Sequence, residues 1–223
     1  MIDTDFILLI MNCKKYEYKS TYQKNTWLKD IPSYIKYYHV IGDKDMFYNS
    51  NSNSEYKFDD EKNILWVNTP DDYNSLPKKV ISAYDAIQKT YNYLYILKTD
   101  DDQMLTNIKF LETITKIINT KVPKIHYAGH IVDVPIPYLS KYSKIHPELP
   151  DDIPIYKTKY CNGRFYILSK EAIKDLIYKR NFINKEYLED YAIGFYLNDK
   201  YKESMMEIQS DKYFKDIVFD QLL

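Results

Sequence analysis

Apolar positions along the chain fall in short blocks separated by polar stretches. Six blocks are rich in β-branched and aromatic residues and bounded by turn residues. They are Phe6–Met11, Tyr37–Ile41, Ile64–Val67, Tyr93–Leu97, Ile125–Ala128 with Ile131–Val132, and Phe165–Leu168. Blocks of this kind predict buried strands. Between them the apolar spacing changes to three and four. Val80, Ala83, Tyr84 and Ile87 predict a helix over Leu76–Thr90, with Ser75 as its cap and Pro77 in its first turn. Ile108, Leu111, Ile114 and Ile118 predict one over Asn107–Asn119. Ile173, Leu176 and Ile177 predict another over Lys170–Lys179, capped by Ser169. Alternating strands and helices predict an α/β layered domain with a mostly parallel central sheet. No repeat or linker interrupts the pattern, so the whole chain, 1–223, reads as one domain.

Two polar segments stand outside the pattern. Asn49–Asp60 is poor in apolar residues and reads as a surface loop. Pro135–Pro154 carries five of the nine prolines and is too long for a simple connector, so it reads as a binding loop or lid.

Composition narrows the chemistry. Net charge is -1, from 31 Lys+Arg against 32 Asp+Glu, which argues against coating nucleic acid or an anionic membrane. The longest unbroken apolar run, Phe6–Met11, is far short of the roughly 20 residues of a membrane helix. The first residues lack the features of a signal peptide. Two cysteines, Cys13 and Cys161, make no disulfide framework; a soluble protein of a reducing compartment, the cytoplasm, is expected. The 25 tyrosines, with abundant Lys, Asn and Ile, read as AT-rich coding bias of the kind a viral genome imposes. Only 4 glycines are present, too scattered for a Walker A loop or a dinucleotide fingerprint. A bound nucleotide would need its phosphates held by metal and charged side chains.

The sharpest local signal is Tyr93-Leu-Tyr-Ile-Leu-Lys-Thr-Asp-Asp-Asp102, an apolar strand running into three carboxylates. In open α/β sheets ligands bind outside the carboxyl ends of the strands. Alternation along an extended chain sends Asp100 and Asp102 to one side. Two hard oxygen ligands suit Mg²⁺ or Mn²⁺, which fill their remaining positions with water and substrate phosphate. Taken alone, the triplet reads equally as a solvated acidic turn. The strand before it and the mutual repulsion of three carboxylates favour a cation.

A second acidic segment is Glu186-Tyr-Leu-Glu-Asp-Tyr-Ala-Ile-Gly194. Helical spacing turns Leu188, Tyr191 and Phe195 inward and leaves Asp190 near the helix start. Acids in a first turn, favoured by the macrodipole, are the simpler reading; a carboxylate general base is the functional one. Gly163 precedes a strand in Tyr160-Cys-Asn-Gly-Arg-Phe-Tyr-Ile-Leu-Ser169, where a tight turn competes with close approach to a ligand. Cys161 has no evident His partner, and His126 and His130 read as satisfied or surface residues.

In this order the segments resemble the β-1,3-glycosyltransferases of glycosyltransferase family 31, which have the GT-A fold and a DxD metal motif. The family's two arginines followed by Thr-Trp correspond to Ser20, Lys24 and Thr26-Trp27, with both arginines replaced. His39-Val-Ile-Gly42 matches its next strand. Asp71, Tyr73, Leu76 and Lys79 match its D-x-Y-x-N-L-x-x-K segment, with Ser75 in place of Asn. Lys98–Asp102, Tyr160–Ser169 and Glu189–Gly194 match its metal, Y-x-x-G-x-x-Y-x-x-S and E-D-V-x-x-G segments.

The resemblance implies a metal-dependent inverting transfer from a nucleotide sugar, a UDP-sugar, to a sugar hydroxyl of a glycan acceptor. It assigns Asp100 and Asp102 to Mn²⁺ or Mg²⁺ and Asp190 to proton removal from the acceptor. It sets Asp101, Lys79, Lys24, Thr26, Asp71, Gly163 and Glu189 along the nucleotide sugar. Many relatives also have a C-terminal His ligand; no His follows His146 here, leaving Asp211, Asp216 or water. Two other classes compete: a catalytically silent relative that binds a glycan or protein partner, and another Asp-metal enzyme such as a nucleotidyltransferase.

Overall fold

The structure, a computed structural model, describes residues 1–48 and 54–219. Its framework is a sheet of eight strands. They are β1 (Phe6–Met11), β2 (Ile35–Gly42), β3 (Tyr56–Asp59), β4 (Ile64–Val67), β5 (Tyr95–Asp100), β6 (Tyr127–Val134), β7 (Thr158–Ser169) and β8 (Met206–Glu207), in the order β8-β6-β7-β5-β1-β2-β4-β3. Five helices matter here: α1 (Glu17–Asn25), α2 (Leu76–Thr90), α3 (Lys109–Thr120), α4 (Lys170–Tyr178) and α5 (Glu189–Tyr196).

The four middle strands β5, β1, β2 and β4 are parallel, as their helical crossovers require. Antiparallel β7 adds beside β5. β1 is buried along its whole length because both faces of the sheet are covered, hence its unbroken apolar run. Ile7, Leu9 and Met11 face α2, α4 and α5. Phe6, Leu8 and Ile10 face α3, with Phe165 and Phe214 in the same cluster. In register, Met11 at the end of β1 lies opposite Asp100 at the end of β5. The acidic triplet thus sits at the carboxyl edge of the parallel core, beside the point where the sheet turns antiparallel.

Local predictions held with instructive exceptions. α2 covers Leu76–Thr90, but Ser75 makes no side-chain cap; Asp72 instead accepts from Ser75 N at 2.8 Å, capping the short turn ahead of the helix. Ser169 does cap α4, accepting from Ala172 N. Within Asn49–Asp60, residues 49–53 lie outside the described residues, and Tyr56–Asp59 is a strand, not loop. It pairs with β4, and Phe58 packs on Tyr38 at 5.0 Å, which a polar-looking segment concealed. Pro135–Pro154 contains the antiparallel pair Tyr138–Ser140 and Ile153–Ile155. Gly163 lies inside β7, not before it. Among the described residues no helix is long and apolar enough to cross a membrane. Both cysteines are free.

Candidate active site

A cleft of about 870 Å³ opens at the carboxyl edge of the sheet and brings the two acidic segments together. Asp100, Asp101, Asp102, Glu189 and Asp190 all line it, as do Asp71, Lys79 and Gly163. The strand ends at Asp100 and the chain turns at Asp101–Asp102, so simple alternation does not continue through the triplet. The three carboxylates have separate partners. Asp100 Oδ1 takes Lys98 Nζ at 2.8 Å. Asp101 Oδ1 takes Lys19 Nζ at 3.1 Å. Asp102 Oδ1 accepts from Gln103 Nε2 at 2.9 Å.

The turn is braced from below. Gln23, wholly buried, donates to Asp100 O at 3.1 Å and Gln103 O at 2.8 Å, and its Oε1 meets His39 Nε2 at 3.0 Å. From the C-terminal side, Ile217 N donates to Asp102 O at 2.7 Å.

Lys98 joins the triplet to α5. Its buried ammonium also holds Glu189 Oε2 at 3.0 Å and Gly163 O at 2.9 Å. Glu189 Oε1 accepts from Tyr166 OH, whose oxygen lies 2.7 Å from Tyr84 OH. Glu189, expected along the donor, lines the cleft and is held in this internal network. Asp190, in the first turn of α5, accepts from Gly163 N at 2.9 Å and Tyr191 N at 2.8 Å. The pairing of β7 with β6 shifts register between Cys161 and Tyr166, and this irregularity aims the Gly163 peptide at both segments. A Cβ on Gly163 would sit 3.7 Å from both Asp100 Oδ2 and Asp190 Oδ2 and 3.5 Å from Lys98 Nζ. These are ordinary contact distances: a methyl group would fit there, and it would take up part of the space between the two carboxylates.

Burial shapes the acidity of this group. It pushes the Asp100 carboxyl up to about 7, with Lys98 opposing and Asp102 adding. It pushes Asp101 to about 6 against the pull of Lys19. It pushes Asp190 to about 6, helped by Glu189 and opposed by Lys98.

On the other side of the triplet, Lys79 Nζ donates to Asn12 O at 2.9 Å and Asp71 Oδ1 at 2.6 Å. Asp71 also accepts from Gly42 N and Lys14 N. Lys24 and Thr26 do not reach the cleft. Lys24 donates to Lys62 O at 2.6 Å, and Thr26 Oγ1 closes the end of α1 on Tyr22 O at 2.8 Å. Lys19, earlier on the same helix, takes the place expected of Lys24. Its signal was weak: α1 reads EYKSTYQKN, with no apolar stripe to mark an inward face. Asp211 and Asp216 are engaged by Arg164 at 3.2 and 3.0 Å, outside the cleft lining. Cys161 is buried with its thiol pushed up by burial, and His126 and His130 meet Ser169 and Glu207.

Among the described residues no three His, Cys, Asp or Glu side chains form a ready-made metal centre. The donor set nonetheless fits a hard divalent ion held by few protein ligands. Asp100 and Asp102 offer only carboxylate oxygen, and the buried acids raise one another's pKa, a cost that a cation offsets.

In this α/β fold an acidic turn at the carboxyl edge of the parallel strands thus shares one cleft with the half-buried carboxylate of Asp190. The chain belongs to the galactosyltransferase family, whose profile matches residues 19–218, and it is a glycosyltransferase. No curated protein matches it in sequence. Among solved structures, the 2-C-methyl-D-erythritol 4-phosphate cytidylyltransferase of Francisella tularensis is 13% identical, with 98% of this chain and 97% of that one covered and a TM-score of 0.49. The glycosyltransferase GlyE of Streptococcus pneumoniae is 12% identical over 94% of this chain and 46% of its own, with a TM-score of 0.47. Mouse xyloside xylosyltransferase 1 is 8% identical over 93% and 85%, with a TM-score of 0.44.

Proposed function

We propose that this protein transfers a sugar from a UDP-sugar to a sugar hydroxyl of a glycan acceptor, with inversion and a β-1,3 linkage, in the presence of Mn²⁺ or Mg²⁺. The observation that carries the reading is the placement of Asp190 across the Gly163 gap from Asp100. The acidic turn and the half-buried Asp190 carboxylate then flank one cleft.

Asp100 and Asp102 would hold the cation, with water and the donor diphosphate completing its shell. The cation supplies charge neutralisation for the departing diphosphate. Lys79 and Lys19 add positive charge on that side, each fixed by a carboxylate. Gly163 keeps the donor sugar's space free of side chains. Asp190 takes the proton of the attacking hydroxyl. Its two backbone hydrogen bonds fix its orientation, and burial lifts its basicity towards neutral pH. Attack from the face opposite the diphosphate gives inversion.

The test is UDP release from a panel of UDP-sugars with Mn²⁺, with and without EDTA. Turnover of one donor that EDTA and Asp102→Ala both abolish is expected. Tight glycan binding with no turnover of any nucleotide sugar would favour the silent relative instead.

A further inference from the structure

The cleft has two unlike halves. Lys15, Lys19 and Lys79 line the half beyond the triplet. The half around Asp190 is walled by Tyr73, Tyr138, Tyr142, His146 and Tyr160. Tyr73 stacks on His146 with centroids 4.2 Å apart and planes 10° from parallel. Tyr142 lies against the same imidazole at 5.0 Å. Tyr138 is 52% exposed although its hairpin is anchored. The phenols of Tyr73 and Tyr160 stand above their ordinary range because of burial, with neighbouring tyrosines and Asp190 adding to it. The wall therefore adjoins the candidate base.

This wall is rigid. Val134, Leu149, Ile153, Ile155 and Tyr191 form a small core beneath it. Asn74 Nδ2 donates to Glu148 O at 2.9 Å, and Tyr191 OH accepts from Tyr156 N at 3.0 Å. Exposed rings on a fixed hairpin form a preorganised surface, not a random apolar patch.

We propose that the wall is the acceptor subsite and takes the neutral pyranose ring at the end of a glycan, stacked on Tyr138 and Tyr142. The proposal rests on the transferase reading of the same cleft. A pyranose presents one face of C–H bonds, which carry slight positive charge and match the negative face of an aromatic ring. Its hydroxyls point sideways, towards Asp190 on one edge. Charge decides which sugars fit. Lys98, beside Gly163, is held by Asp100 and Glu189, and the Arg164 fork is taken by Asp211 and Asp216. Glu148 and Asp190 supply negative charge, so a uronic acid or a phosphorylated sugar is repelled.

Saturation-transfer NMR on the whole protein, without donor, reads this directly. The probes are the methyl β-glycosides of glucose, galactose and N-acetylglucosamine, with methyl β-glucuronide as the charged control. At least one neutral glycoside is expected to receive saturation, with the glucuronide about tenfold weaker. Tyr138→Ala is expected to lose about tenfold in affinity, while Tyr138→Phe, which keeps the ring, stays near wild type. Because Tyr138 is exposed, an unchanged melting temperature checks that the variants fold. Equal binding of the glucuronide, an unaffected Tyr138→Ala, or no saturation of any neutral glycoside overturns the proposal. Glycan binding without sugar transfer would sink the catalytic reading and leave this one standing. Transfer to acceptors indifferent to Tyr138→Ala would do the reverse.

Discussion

Lys98 and Glu189 form an ion pair of 3.0 Å with 1% and 3% of their side chains exposed. The pair ties the strand that carries the acidic turn to the helix that carries Asp190. A buried pair adds little net stability, but removing one partner strands the other. Lys98→Met leaves both Asp100 and Glu189 without their cation. It should lower stability by about 3–5 kcal/mol in urea denaturation. Adding Glu189→Gln should recover part of that loss, since one of the two stranded charges is gone. Equal stability of wild type and Lys98→Met would show that the network does not exist as described.

Gln23 braces the acidic turn by donating to Asp100 O and Gln103 O. Gln23→Leu deprives both carbonyls and His39 Nε2 of a partner inside the protein. A loss of about 1–3 kcal/mol is expected by thermal unfolding. Calorimetry should also show weaker binding of UDP with Mn²⁺, because the turn loses its floor.

His39 is buried, with Nε2 on Gln23 and, among the described residues, no partner for Nδ1. Burial, with Lys24 adding, pushes its pKa down to about 3. The neutral ring is therefore the folded form. Its contribution is full above the unfolded value of about 6.5 and is lost as pH falls from there towards about 3. His39→Asn should flatten the fall in melting temperature between those limits. An unchanged slope would place acid sensitivity elsewhere.

As the proposed base, Asp190 would have to be ionised to accept a proton, and burial pushes its pKa up to about 6. kcat/KM should therefore fall as pH drops through about 6 and level off above it. Asp190→Asn should slow transfer by about 10²–10⁴-fold while sparing UDP binding. An equal loss of UDP binding would make Asp190 a donor ligand instead of a base.

The parts that sequence made legible share a cause. β1 and α2 carry apolar periods that only a buried strand and a one-sided helix explain. The Asp100–Asp102 triplet stood out because it follows an apolar strand directly, which placed it at the carboxyl edge of the sheet, although by itself it reads equally as an acidic turn. Asp190, which lines the cleft, was singled out by the family motif and not by spacing, since acids in a first helical turn are ordinary. Lys98–Glu189 and Gln23–His39 were not readable: each joins residues far apart in the chain. The substitution of Lys19 for Lys24 hid in a helix with no apolar stripe. Tyr138 and Tyr142 of the wall lie in Pro135–Pro154, which reads from sequence as a binding loop or lid, but its strands Tyr138–Ser140 and Ile153–Ile155 are too short to show alternation.

Anomalous diffraction at the manganese edge, from crystals grown with UDP and Mn²⁺, addresses the central claim most directly. The account predicts one peak at the carboxylates of Asp100 and Asp102, bridged to the diphosphate, with Asp190 across the cleft. UDP bound with no peak there, or a peak away from the acidic turn, would contradict it.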